Sequence, residues 1–197
     1  MEKSMTGEMK IVEEPKKPIS MHPKKFAMWL FMASVMMLFA SLTSAYIVRE
    51  AEGNWLYFEL PALFYYTTAI IVLSSVTMQW AYFAAKKNEI GLVRNLVIVT
   101  SILGVAFLVG QFKAWGALVS NSIYFIGNPS GSFLYVLTGL HGLHIVSAVI
   151  FLLIVLNSAV KKRIHSKNMA QMEMCTTYWH FLGGLWIYLF IFLVINR

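Results

Sequence analysis

Residues 135–147 read Tyr-Val-Leu-Thr-Gly-Leu-His-Gly-Leu-His-Ile-Val-Ser. Thr138, Gly139, His141, Gly142 and His144 are small or polar, yet they sit inside a largely apolar run, residues 132–160. At 1.5 Å per residue such a run crosses the ~30 Å hydrocarbon core of a bilayer as a helix. His141 and His144 are three apart, so a helix carries both imidazoles on one face. Gly139 and Gly142 repeat that spacing and leave a strip where another helix or a lipid chain can approach closely. A segment facing only lipid has no use for such a strip. The stretch reads as a packing and polar-contact surface inside a membrane bundle, and the fold as all-α.

Four more apolar runs, at about 26–48, 61–85, 91–111 and 174–195, bring the total to five transmembrane spans. They form one membrane domain, 24–197, behind a polar tail, 1–23, that mixes Lys, Glu, Pro and Met without periodicity. Of the 197 residues 58% are hydrophobic and 13% charged, which identifies a polytopic membrane protein. The net charge of +7 is spread between apolar runs and sets topology, with no nucleic-acid surface implied. Pro61 is expected to open the second span, and the Gly116–Gly131 stretch, with Asn128, Pro129 and Ser130, to form a long connection. Trp55, Tyr57 and Phe58 are placed like an aromatic interface belt.

An odd number of spans puts the termini on opposite sides. With the N-terminus cytoplasmic, the inner regions hold Lys3, Lys10, Lys16, Lys17, Lys24, Lys25, Lys86, Lys87, Arg94, Lys161, Lys162, Arg163 and Lys167. Arg49, Lys113 and Arg197 fall outside, so 13 of 16 basic residues are inside. The positive-inside rule then predicts an N-terminus in the cytoplasm and a C-terminus outside.

Little in the chain suggests chemistry of its own. Cys175 is the single cysteine, which excludes an internal disulfide, a clustered-cysteine zinc site and a cysteine-ligated iron–sulfur cluster. The nine acidic residues are all Glu and lie in tails, loops or span borders, so no carboxylate marks a proton-coupled carrier. His141, His144 and His180 are the remaining candidates. His141 and His144 share a face and cannot clamp one haem, whereas His180 with either of them fits an axial pair between neighbouring helices. Plain hydrogen bonding to backbone, hydroxyl or lipid phosphate groups fits the same residues.

Two motifs resemble subunit III of the haem–copper terminal oxidases: Leu137-Thr138-Gly139-Leu140-His141-Gly142-Leu143-His144, and Tyr178-Trp179-His180-Phe181 preceded by Glu173. Met37-Leu38-Phe39-Ala40-Ser41-Leu42, Pro61 with Ser74-Ser75-Val76-Thr77, and Gln111 with Trp115 extend the likeness to nearly everything after Lys24. The five-span length resembles the short bacterial form of the family. The resemblance implies a non-catalytic, lipid-binding subunit of an oxidase, cytochrome c oxidase foremost, in aerobic respiratory electron transport. Such a subunit stabilises the catalytic subunit I and supports proton uptake there. It binds no haem or copper, which stay with the partners, subunits I and II; further small subunits or a respiratory supercomplex join them. It carries structural phospholipids and sits in the bacterial cytoplasmic membrane. His141, His144, Trp179 and His180 are the residues expected to donate to lipid headgroups. Val35 stands where members of the family often carry a glutamate. Quinol oxidases and nitric oxide reductases use similar subunits, and a cytochrome b-type haem anchor is the reading from another class.

Overall fold

The computed structural model describes residues 23–161 and 169–196. The polar tail, and with it His22 and the tail lysines, lies outside the described residues, as do Lys162, Arg163, Lys167 and Arg197. Five helices follow in order: α1 Pro23–Ala51, α2 Leu63–Lys86, α3 Ile90–Ser120, α4 Pro129–Val160 and α5 Ala170–Ile195. All five are long and apolar enough to cross a membrane. Helices α2, α3, α4 and α5 close a ring, each packing on the next and α5 back on α2, while α1 packs on α4 and α5 from outside.

Short-range chemistry explains the turns. Asn128 caps α4 by accepting from the Ser130 N–H at 3.0 Å, and Pro129 follows where a missing N–H costs nothing. Asn88 and Ser122 adopt left-handed backbone (φ 59° and 62°) just past the ends of α2 and α3. Glu89 N and Ile123 N then reach back to the Ala84 and Leu118 carbonyls, closing both helix ends.

Helices α1, α4 and α5 each begin three or four residues before the expected spans, and two further boundaries differ at the connections. The α3 helix continues through Gly116 to Ser120, so the connection to α4 covers only 121–128. A single glycine costs a helix only about 1 kcal/mol, and the buried Ala114 and Leu118 on either side hold it against the ring. Pro61 lies in the preceding turn, its carbonyl accepting from Phe64 N, and α2 begins at Leu63. In the loop after α1, Trp55 packs its ring edge-on against Tyr46 at 4.6 Å.

Three hydrogen bonds between helices, each from an indole N–H, share one pattern. A Ser or Thr hydroxyl on one helix donates to its own backbone carbonyl and accepts from an N–H on another helix. Ser74 donates to Ile71 O and accepts from Trp179 Nε1 at 3.1 Å. Thr68 donates to Phe64 O and accepts from Trp186 Nε1 at 2.9 Å. Thr138 donates to Leu134 O and accepts from Trp115 Nε1 at 3.0 Å. In lipid, where apolar burial between helices gives little drive, such contacts and close packing hold helices together. The apolar outer surface, Met37 and Tyr66 among it, faces away from the ring.

Candidate lipid-binding face

His141 sits at the centre of the bundle with none of its surface exposed. Its ring lies 5.0 Å from Trp186 of α5, 5.9 Å from Phe107 of α3 and 6.4 Å from Phe39 of α1, measured between centroids. The imidazole is steeply tilted to both phenyl rings, at 82° and 70°, and neither nitrogen has a hydrogen-bond partner among the described residues. A macrocycle at this position would have to displace three packed rings. An imidazole without partners is held by its shape, and replacing an unsatisfied buried group by an apolar one of similar size is close to neutral. His141→Leu should therefore leave the thermal midpoint of the purified subunit unchanged or higher. A loss of several degrees would mean that a nitrogen of His141 is bonded.

His144 occupies the seam between α4 and α1. Its Nδ1–H donates to Leu140 O at 2.7 Å, leaving Nε2 as an acceptor, and its ring packs on Phe31 and Phe39. Trp179 is buried, its one N–H committed to Ser74. His180 donates from Nε2 to Gln79 Oε1 at 2.9 Å, which bridges α5 to α2 and leaves Nδ1 open. The four residues therefore do not share a surface: His141 and Trp179 are enclosed, His144 is half-buried, and only His180 borders open space.

That space has two contrasting halves. On one side of His180 lies a crevice of about 350 Å³ between α2 and α5, lined by Gln79, Tyr82, Glu173, Thr176 and Thr177. The Thr176 hydroxyl is buried there without a partner among the described residues. On the other side a groove of about 510 Å³ runs between α1 and α5, lined by Met36, Ala40, Phe181, Leu185 and Tyr188. Gly184 contributes to it, with open space where a side chain would stand. Glu173 of the crevice is ion-paired with Lys25 of α1. The polar recess near the α5 start and the apolar groove along α1 and α5 have His180 in common as a lining residue.

The remaining motif residues have structural partners. Tyr178 OH meets Ser147 at 2.8 Å, and Phe181 lines the apolar groove. Lys25, Ser74, Gln79 and Thr176 are contributors that the sequence did not single out for the site. Lys25 at the span border and the hydroxyl run of α2 were the available signals; their partners were not readable. Among the described residues no group of three or more His, Cys, Asp or Glu side chains is arranged to hold a metal ion.

Residues 54–196 match the profile of cytochrome c oxidase subunit III. The chain belongs to the cytochrome c oxidase subunit III family. With its five spans, this subunit III homologue is a multi-pass membrane protein. It is 31% identical over 172 residues to the probable cytochrome c oxidase subunit 3 of Nocardia farcinica, with 82% of each chain covered. It is 29% identical to cytochrome c oxidase subunit 3 of Corynebacterium diphtheriae over 82% of each chain. Against that of Bacillus sp. PS3 the identity is 25%, covering 85% of this chain and 83% of the relative. The matched span takes in the whole α2–α5 ring of this subunit III homologue, and α1 precedes it.

Proposed function

We propose that this subunit III homologue is a non-catalytic, lipid-holding subunit of a haem–copper oxidase, foremost a cytochrome c oxidase. It packs beside the catalytic subunit in a bacterial cytoplasmic membrane and serves aerobic electron transport. The observation that carries the reading is that a polar crevice and an apolar groove both border His180. A phospholipid fits it with its headgroup toward Glu173, Thr176 and His180 and one acyl chain along Phe181 and Leu185. Haem and copper belong to the partner subunits I and II, and the role of this chain is to keep subunit I durable and its proton supply intact.

The charge pattern supports a cytoplasmic N-terminus. Lys25, Lys86, Lys87, Arg94 and Lys161 gather at one end of the bundle, against Arg49 and Lys113 toward the other. The crevice, at the Lys25 end, then opens to the inner leaflet. His141 and Trp179 enter the lipid site indirectly, by fixing the helices that form it, while His180 and His144 are the ones near enough to the surface to meet a headgroup.

Purification from native membranes in mild detergent, with the companion chains and phospholipids measured, tests both parts. The expected result is recovery with a large multi-span subunit and a copper-carrying partner, together with tightly held phospholipid. His180→Ala and Glu173→Gln should each reduce that phospholipid and hasten the decay of oxidase activity during turnover. Unchanged phospholipid and decay in both variants would remove the lipid role; recovery without oxidase subunits would remove the assignment itself. Neither variant should unfold the chain, because the Lys25–Glu173 pair is about one-third exposed and such pairs contribute about 1 kcal/mol or less.

A further inference from the structure

Gly139 and Gly142 do not serve the packing of this chain on itself. A Cβ on Gly104 would stand 2.7 Å from Trp179, and one on Gly131 would stand 2.7 Å from the Tyr124 carbonyl, so those glycines are required by neighbours within the fold. On Gly139 the nearest atom would be 3.7 Å away, on Trp115, and on Gly142 it would be 3.9 Å away, on Leu108. Both are ordinary van der Waals distances, and alanine would fit at either position. What the two glycines do is floor a groove of about 300 Å³ between α3 and α4. Phe112 and Leu143, each 66% exposed, border it.

One polar group at the groove lacks a partner. Gln111 is 97% buried and lines the groove, and its Oε1 is unbonded among the described residues. The orientation of its amide is fixed by chemistry. The Thr67 hydroxyl donates to Phe64 O at 3.1 Å, so toward Gln111 it can only accept, and it takes the Nε2–H at 3.0 Å. The Trp115 indole, the other donor here, is spent on Thr138. The groove is therefore bordered by the unpaired Gln111 carbonyl and by the second N–H of the same amide, which Thr67 does not take. Gln111 and Thr138 each lie nine residues from the same end of the bundle, roughly 14 Å along their helices, and a buried carbonyl left unpaired costs about 1–3 kcal/mol.

We propose that the α3–α4 groove receives a transmembrane helix of another oxidase subunit, which brings a hydroxyl, amide or indole donor to Gln111 Oε1. An acyl chain would fill the groove and leave the carbonyl unpaired. A helix satisfies it, and the glycine floor lets its backbone approach closely. This docking surface rests on the assignment of the chain to an oxidase and is separate from the lipid site at His180.

A photo-crosslinking residue at Leu143, in the intact oxidase in its native membrane, should react with a membrane-spanning segment of another oxidase subunit, identified by peptide mapping. Gly142→Leu should abolish that crosslink and strip the subunit from the complex on detergent washing, while the isolated variant keeps its thermal midpoint. Gln111→Leu should lower retention roughly threefold, the average worth of one intramembrane hydrogen bond. Crosslinks to lipid alone or to a second copy of this chain, or full retention of Gly142→Leu, would overturn the docking surface. If oxidase subunits still co-purify in those cases, the family role survives; if none co-purify at all, both fail.

Discussion

Trp186→Ala is expected to lower the stability of the subunit by about 3–5 kcal/mol, the range for removing a large aromatic from a packed core. Trp186 is fully buried where four helices meet. Its ring lies parallel to Phe64 at 6.2 Å, meets Phe107 edge-on at 5.0 Å and covers His141 at 5.0 Å. Its N–H reaches Thr68 of α2. Truncation opens a cavity bordered by α2, α3, α4 and α5 at once, which no single side chain can refill. Trp186→Phe keeps most of the ring and loses the hydrogen bond, a change of about 1 kcal/mol. Thr68 tolerates that loss because its own proton stays on Phe64 O. Unfolding in mixed detergent micelles, with helix content as the readout, separates the two variants. Equal losses for Ala and Phe would show that the hydrogen bond, and not the packing, holds the centre.

The second large effect is expected at Gly104. A methyl group there collides with Cη2 of Trp179, and Val149 stands 3.1 Å away on the other side. The indole cannot swing aside freely, because its opposite edge is tied to Ser74. Gly104→Val therefore forces either α3 away from α5 or the Trp179–Ser74 bond apart. Overpacking of this kind costs about 1–3 kcal/mol, sometimes more, and should appear as poor accumulation in the membrane and a lower thermal midpoint. Gly142→Ala, whose methyl would meet only Leu108 at an ordinary 3.9 Å, should leave both unchanged. Equal tolerance at the two positions would mean that the α3–α5 contact is loose.

The contrast between these glycines marks how far the sequence could be read. Five long apolar runs separated by charge define the helices, because the bilayer fixes their length and forbids unpaired backbone. The end of α3 was less legible, since Gly116 is a breaker only where neighbouring residues do not pack. Helical spacing puts His141 and His144 on one face, but it is blind to where that face points. A difference of three residues separates the aromatic box at the centre from the seam with α1. The hydroxyls of α2, from Thr67 to Thr77, were plainly visible in the sequence. That Thr67, Thr68 and Ser74 serve Gln111, Trp186 and Trp179 respectively was not, because each pairing depends on the rotation of two helices. Glu173 was noticed as part of a motif; its partner Lys25, 148 residues away, was not.

The seating of α1 outside the ring has a consequence for biogenesis. Among the five described helices α1 is made first, yet the helices it packs on, α4 and α5, follow last. Until they arrive, α1 must reside in the bilayer without company, and its lipid-tolerant surface of Trp29, Phe31, Met36 and Met37 suits that wait. Its lasting ties, Lys25 to Glu173, Thr43 to Tyr188 and Tyr46 to Asn196, all land on α5 or just beyond it. A chain stalled before α5 would thus leave α1 with only α4 to pack on and without any of these three ties.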